Sequence, residues 1–489
     1  IAKISIEIFH LLVYNIKVSF CDMTYKIYLI AFIMITISIR IDKMSRIRNI
    51  MAVIACKLLI FAGKCMGKKG SSTPGKIAMK ISPGLLKHLA SQVKGPVVMV
   101  CGTNGKTTTN NLLYSLFTDR GLKVVCNNVG ANMLPGVACA FISKSSLFGK
   151  LDADCAAIEC DEASLRRIIP HVKPDKIVIT NLFRDQLDRY GEIDITIDLL
   201  NEAIDKLCDV QLILNGDDPL CAQFGKNKNA VYYGVDEDCN ISVRETKEGR
   251  FCLNCGNELS YNYYHYSQLG DYYCTKCGFK RPILDYAAKE VDLSGNISFN
   301  LHCGSDIVPI NINYHGFYNI YNILASVAAF NQCGYGLENV NAVFEKYKPQ
   351  IGRMEPFKIN GKTVILNLSK NPAGFNQAIA TLISDKRRKD VMIVLNDNAQ
   401  DGRDVSWIWD VDYEKLKNAN VSSLTASGIR KYDMAVRLKY AGFEDFEIKD
   451  NNSDTLKSVA SKDGDVCYVL INYTALFDTQ NNLKALEDK

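Results

Sequence analysis

Two groups of residues in this chain have the types and spacing of working chemistry. The first lies in VVMVCGTNGKTTT, residues 97–109, where an apolar run meets two glycines, a lysine and a row of threonines. Backbone N–H groups of Gly102, Thr103, Asn104 and Gly105, continued by the first turn of a helix opening near Lys106, can surround an anion, because orphan amides and the helix dipole both favour negative charge there. Lys106, read as an exposed loop lysine, is expected to face the β- and γ-phosphates of a nucleotide. The Thr107 hydroxyl is expected on Mg²⁺, with Thr108 beside it in the same turn. The strict phosphate-loop pattern G-x-x-x-x-G-K-[ST] fails by one residue, since Val100 holds the first glycine position and Gly102 sits inside the loop. An ordinary glycine turn is the plainer reading, but it gives no reason for strand, Gly-Lys-Thr and helix to fall in that order.

The second group is in FCLNCGNELSYNYYHYSQLGDYYCTKCGF, residues 251–279. Cys252-x2-Cys255 and Cys274-x2-Cys277, eighteen residues apart and each followed by glycine, have the spacing of a four-thiolate zinc ribbon. A closed tetrahedral site has no open position for substrate, so the Zn²⁺ is read as structural, holding an inserted hairpin that has little core of its own. His265 lies between the pairs and is read as a surface or packing residue, the four thiolates already filling the shell.

These groups need a frame, and the chain supplies one by alternating apolar strands with amphipathic helices. Strand candidates are residues 97–100, 122–126, 155–159, 176–180 and 210–215, with helical patterns at 106–117 and 195–207 between them. This alternation predicts a doubly wound α/β sheet, whose ligands sit at the carboxyl ends of the strands. After the ribbon come further strands and an alanine-rich helix opening at Gly316. PQIGRMEPF, residues 349–357, reads as a linker; beyond it strands at 363–368, 391–396 and 466–471 and a helix at 429–441 predict a second α/β domain. The expected division is an N-terminal extension at 1–43, a central domain at 44–352 carrying the ribbon, and a C-terminal domain at 353–489.

A chain of 489 residues exceeds one core, and its 47% hydrophobic and 23% charged composition is that of a globular enzyme. Eighteen scattered cysteines argue for a reducing cytoplasm rather than a disulfide scaffold. The net charge of +5 is too mild to point to nucleic acid. Residues 1–43 are Ile-rich and unlike the rest, with an uncharged run from Ile27 to Ile39 too short to cross a bilayer comfortably. A membrane anchor, an interfacial segment and translated sequence upstream of a start at Met44 compete, and the last is the reading adopted. The basic stretch from Met44 to Lys69 allows peripheral attachment to the inner face of the plasma membrane, although such a run is more often a solvated helix face.

Taken together, Gly102–Thr107, Glu159, Thr180-Asn181, Asp188-Arg-Tyr-Gly191, Leu214–Asp218 and Gly316-x-x-Asn319-x-x-Asn322 resemble the central domain of the Mur ligases. The ribbon, with LSKNPAGFN at 368–376 and LNDNAQDGRDVSWIWD at 395–410, narrows the resemblance to the MurT family of synthetase subunits. The resemblance implies ATP-dependent activation of a carboxylate as an acyl phosphate, with Lys106 and Thr107 in the roles already given and Glu159 as a second Mg²⁺ ligand; Asp161 and Glu162 are rival ligands. It implies adenine contacts from Asn319 and Asn322, nearby positions for Asn215 and Asp218, and a γ-phosphate contact from Arg353. Lys370, Asn371 and Asn376 become candidates for substrate or phosphate contacts. The family also implies ammonia as the amine, lipid II as the substrate, and a GatD-type glutamine amidotransferase as partner in a heterodimer, with Asp404 completing the partner's catalytic triad. Read without the family, Asp404 caps a helix holding Ser406 and Trp407. One departure is Asp185-Gln186-Leu187, where many Mur ligases carry a metal-binding His, so the number of Mg²⁺ ions stays open.

Three other readings remain. An amino-acid-adding Mur or folylpolyglutamate-type ligase would need an acceptor pocket. A zinc-ribbon nucleic-acid-binding NTPase would need more positive charge than a ribbon that has Glu258, Asp271 and no Lys or Arg between its cysteine pairs until Lys276. A pure scaffold leaves the polar residues at the strand ends unexplained.

Overall fold

The computed structural model describes residues 45–65, 72–127, 131–184, 193–241, 248–294, 296–313, 316–347 and 352–488. The extension at 1–43 and the motifs Asp185-Gln186-Leu187 and Asp188-Arg-Tyr-Gly191 lie outside them.

The apolar runs form strands where they were expected, β1 Val97–Cys101, β2 Val124–Cys126, β3 Cys155–Glu159, β4 Lys176–Ile179 and β5 Gln211–Asn215, and a strand not expected from the sequence, β6 Ala230–Val235, follows them. Two strands of the ribbon hairpin follow, β7 Ser260–Tyr266 and β8 Leu269–Tyr273, then β9 Tyr286–Asp292, β10 Ile297–Cys303 and β11 Asp306–Ile312. A nine-stranded sheet runs in the order β11-β10-β9-β6-β5-β4-β1-β3-β2. Its β1, β4, β5 and β6 are parallel and nearly continuous in apolar residues because helices cover both faces. The antiparallel β10 instead alternates buried and half-buried residues, as a strand with one wetter face does.

The second sheet contains β12 Glu355–Ile359, β13 Lys362–Leu368, β14 Lys389–Val394, β15 Val421–Ser427, β16 Glu447–Ile448 and β17 Val466–Ile471, in the order β12-β13-β17-β14-β15-β16. One face is buried by the helices Pro372–Ser384 and Lys431–Tyr440, the other by Ser453–Ala460 and Leu476–Leu486. The segment read as a linker thus ends in a strand. Pro356 is tolerated there because β12 is an edge, where a missing N–H breaks no inner ladder, and Pro309 holds the same kind of position in β11.

Packing divides the chain into two compact units: the described residues up to Gly95 with Val125–Ala156 and Arg167–Lys173, and Pro96–Val124 with Ala157–Arg166 and the chain from Pro174 onward. In the smaller unit the helix Ser45–Cys65 packs on Thr73–Ile81 and Leu134–Lys144. Arg48 donates to Ile81 O, and Lys57 donates to Ser143 O (3.3 Å) and Ser145 O (2.6 Å), cations meeting the carbonyl ends of two helices. The larger unit holds the phosphate loop, the ribbon and the whole C-terminal sheet, so the boundary expected at 352/353 falls inside it, between the two sheets. Among the described residues no helix is long and apolar enough to cross a membrane.

Candidate active site

β1 ends at Cys101, and the chain turns through Gly102 (φ +117°) and Gly105 (φ +85°) into the helix Lys106–Asp119. Both glycines are required: their backbone is left-handed, and an added Cβ would meet Thr180 Oγ1 at 2.3 Å or Asn322 Oδ1 at 2.2 Å. The turn is held from the end of β4. Asn181 O accepts from Thr103 N–H (2.8 Å), its Oδ1 accepts from Asn104 N–H (2.8 Å), and its Nδ2 donates to Asn104 O (3.0 Å). Thr180 Oγ1 also donates to Asn104 O at 2.7 Å. Two of the amides expected to face an anion are therefore engaged by Asn181. The anion-binding capacity of the turn rests with the helix-opening amides at Lys106, Thr107 and Thr108.

Lys106 is buried rather than exposed, with 7% of its surface accessible. Its ammonium donates to Gly102 O and Thr103 O and lies 3.0 Å from Glu162 Oε1, in a pair that is buried on both sides. Three acceptors around one ammonium satisfy its three N–H donors, which is why the side chain need not seek water. Burial pushes the Glu162 carboxyl above its ordinary range, and the charges of Lys106 and Lys370 pull it back.

Glu159 ends β3 at the carboxyl edge beside β1, and Asp161 and Glu162 follow it, all three buried. Three carboxylates beside a threonine-opened helix make a set of hard oxygens, the donor type a Mg²⁺ ion takes. The residues present therefore fit MgATP by the two criteria available: donor chemistry, and a turn whose glycines alone fit beneath Thr180 and Asn322.

Asn319 and Asn322 lie one turn apart on the helix Tyr318–Gln332, both buried. Asn322 Nδ2 donates to Asn319 Oδ1 (3.0 Å), and Thr109 Oγ1 lies 3.4 Å from Asn322 Oδ1. Asn322 thus stands against Gly105 and Thr109. Asn215 and Asp218 serve the frame: Asn215 Nδ2 donates to Thr180 O (2.9 Å), while Asp218 accepts from Leu182 N–H (2.8 Å) and Leu220 N–H (3.0 Å). Burial pushes Asp218 up to about 6 against these hydrogen bonds.

The C-terminal sheet contributes Asn371, which caps the helix Pro372–Ser384 by accepting from Gly374 N–H at 2.8 Å. The same side chain exchanges hydrogen bonds with Asn104 of the phosphate turn, at 3.1 and 3.4 Å. Asn376 lies farther along that helix, where its Oδ1 accepts from Asp412 N–H at 2.9 Å. Arg353 is half-buried and close enough to Tyr318 and Tyr347 for its charge to bear on both hydroxyls. Asp404 accepts from Ser406 N–H at 2.8 Å, ahead of the short 3-10 helix Ser406–Asp410; that hydrogen bond, with the charge of Arg184, holds its carboxyl below the ordinary range. The bond is a local turn ahead of the 3-10 helix, whose N-cap position is Val405 with no side-chain cap, and the carboxylate is still partly open to solvent.

The four ribbon thiols converge. Their sulfurs lie within 4.8 Å of one another, with Cys252–Cys277 at 3.4 Å and Cys255–Cys274 at 3.6 Å. Zinc held by four thiolates at about 2.3 Å spaces its sulfurs by about 3.8 Å, so the group fits the ion. His265 is buried in a hydrogen-bonded network, not on the surface.

Comparison with known proteins agrees with this geometry. The Mur ligase middle domain matches residues 100–251, and the MurT ligase C-terminal domain matches 368–476. The subunit MurT of lipid II isoglutaminyl synthase (glutamine-hydrolyzing) from Staphylococcus aureus is 38% identical over 395 residues, 80% of this chain and 88% of that protein. The corresponding Streptococcus pneumoniae subunit is 37% identical over 416 residues, 84% of this chain and 91% of that protein. Among solved structures, a pseudomurein peptide ligase type C from Methanothermus fervidus superposes with a TM-score of 0.66 at 25% identity, covering 82% of this chain and 80% of that one. With a Mur ligase phosphate turn, a MurT C-terminal domain that meets it at Asn104 and Asn371, and this level of identity, the chain belongs to the MurT family of Mur ligases.

Proposed function

We propose that the chain is the synthetase subunit of a lipid II isoglutaminyl synthase. It transfers the γ-phosphoryl group of ATP to the α-carboxylate of D-glutamate in the peptidoglycan stem; ammonia then attacks the acyl carbon, phosphate leaves, and the amine gives up a proton to yield the D-isoglutamine amide. The observation that carries this reading is the reciprocal hydrogen bonding of Asn104 and Asn371, which brings the MurT-type C-terminal domain onto the phosphate turn of a ligase fold.

Bound Mg²⁺ would supply charge neutralisation at the transferring phosphoryl group, held by Thr107 and Glu159 with Asp161 close in sequence. Lys106 supplies the positive charge for the phosphates, exchanging Glu162 for a stronger anion when nucleotide enters. Arg353 is the proposed γ-phosphate contact and Asn319 and Asn322 the proposed adenine contacts, with Asn322 set against Gly105 and Thr109 of the turn. Cys252, Cys255, Cys274 and Cys277 hold a structural zinc. The domain division is 44–352, with the ribbon at 251–279, and 353–489.

Ammonia is mostly ammonium at neutral pH, so a glutaminase subunit that delivers it unprotonated is the proposed partner. An apolar stripe on the helix packed against the 3-10 helix that follows Asp404 supports this: Tyr432, Val436 and Tyr440 lie at helical spacing, all exposed, and the Tyr440 ring meets exposed Trp409 at 5.4 Å. Aromatic side chains of this kind are enriched at interfaces. Asp404 would orient a histidine of that partner. Peripheral contact with the inner membrane face is supported by the helix Ser45–Cys65, which has no acidic residue and exposes Arg46, Phe61 and Lys64, its other cations Arg48 and Lys57 being engaged within the protein.

The test is co-purification with an untagged genomic partner, followed by ATP hydrolysis and product mass on lipid II. Glutamine-dependent ADP release with an amidated stem is expected; amino-acid addition, or no turnover with either glutamine or ammonium salt, would overturn the reading.

A further inference from the structure

The turn of the ribbon hairpin is buried. His265 and Gln268, at the end of β7 and in the β7–β8 turn, are 1% and 0% exposed. Gln268 Nε2 donates to Leu182 O at 2.7 Å, and Leu182 follows the Asn181 that holds the phosphate turn. His265 Nε2 lies 2.9 Å from Glu237 O and Nδ1 lies 2.7 Å from Tyr321 OH, with Asp217 Oδ2 3.6 Å from the same nitrogen. Tyr321 OH donates to Asp217 Oδ2 at 2.7 Å, and Asp217 Oδ1 accepts from Arg281, a residue just past the last ribbon cysteine, at 3.1 Å. Tyr321 stands between Asn319 and Asn322 on their helix, and Asn322 braces Gly105.

We propose that the ribbon is a strut of the nucleotide site: through His265, Tyr321 and Arg281 the zinc-held hairpin fixes the helix Tyr318–Gln332, and hence the position of Asn322 against the phosphate turn. His265, Tyr321 and Arg281 are positioning residues, and zinc occupancy is linked to nucleotide affinity although the thiolates never meet the nucleotide. The chain of contacts is continuous, polar and buried, the conditions under which removing one member shifts its neighbours. Reciprocity follows: whatever zinc adds to nucleotide affinity, nucleotide adds to zinc retention. This proposal rests on the assignment of the nucleotide site to Gly102–Thr108.

The test is calorimetric binding of Mg-ADP to the full chain, with zinc content measured on the same sample. Tyr321→Phe keeps the ring against Tyr266 and Phe317 and leaves Asp217 with Arg281 and Val235 N–H, so the protein should fold. It should weaken Mg-ADP binding about 5- to 50-fold, raising the KM for ATP far more than it lowers kcat. His265→Leu should do the same and His265→Gln should recover part of the affinity. Stripping zinc with a chelator should weaken ADP binding, and saturating ADP should slow zinc loss to the chelator. Wild-type ADP affinity in Tyr321→Phe and His265→Leu, with zinc release indifferent to ADP, would overturn the strut. Lys106→Ala distinguishes the two levels: if it also leaves ADP binding unchanged, the nucleotide-site assignment itself has failed.

Discussion

Asn104, in the phosphate turn, and Asn371, at the N-cap of the helix Pro372–Ser384, each donate an amide hydrogen to the other's side-chain oxygen across 267 residues of chain. Asn371 has a second task in the cap, since its Oδ1 also accepts from Gly374 N–H. The two tasks separate by substitution. Asn371→Asp keeps the cap acceptor but loses the amide donor and turns a carboxylate toward the phosphates. It should leave the melting temperature nearly unchanged and lower kcat/KM for ATP by about 10- to 100-fold. Asn371→Ala should lose a comparable activity and in addition about 1 kcal/mol of stability. Full activity in Asn371→Asp would make the contact between the two sheets passive.

Lys106 and Glu162 form a buried pair, so removing one partner does more than remove a charge from the site. Lys106→Ala should abolish ATP turnover and also destabilise the fold by about 3 to 5 kcal/mol, because the buried Glu162 carboxyl loses the cation that offset its burial and must either take up a proton or stay uncompensated. Adding Glu162→Gln should restore most of that stability without restoring turnover. Denaturant titration of the single and double variants, beside an ADP-release assay, checks both halves.

Asp404 accepts from Ser406 N–H, a role that Asn performs as well. Asp404→Asn should therefore cost little stability. In the complex it should reduce glutamine hydrolysis by a factor on the order of 10⁴ while largely sparing synthesis driven by ammonium salt. Loss of both activities with an unchanged melting temperature would assign Asp404 to the synthetase site instead.

Glu248 accepts from Arg184 N–H at 2.6 Å, and burial pushes its carboxyl up from 4.5 to about 7. Between these values the folded chain binds more protons at this group than the unfolded chain does, so stability falls as pH rises from about 4.5 to 7 and is level above. The difference is on the order of 3 kcal/mol. Glu248→Gln should flatten that part of the profile, as read from denaturant midpoints at pH 5 and pH 8. A slope identical to wild type would place the titration elsewhere.

What the sequence by itself determined was local. Strands β1, β3 and β17 lie where their apolar runs put them, because a fully buried strand is written as consecutive apolar residues. The cysteine pairs brought their sulfurs together because metal-ligand spacing is a short-range pattern completed by one hairpin. The turn in which Asp404 accepts from Ser406 N–H was legible for the same reason, although the helix it precedes has Val405 at its N-cap. Only the tertiary structure decided what each of these faces. Nothing near Lys106 in sequence announces the carboxylate 56 residues on that draws it inside. Nothing near His265 announces Tyr321, and Pro356 looked like a linker residue until β13 paired with it at a sheet edge. The amides of Thr103 and Asn104 were free to bind an anion on paper and were taken by Asn181. Except at Pro356, where strand order decides, the deciding term is the desolvation of a polar group, which is set by neighbours that the chain brings together only when it folds.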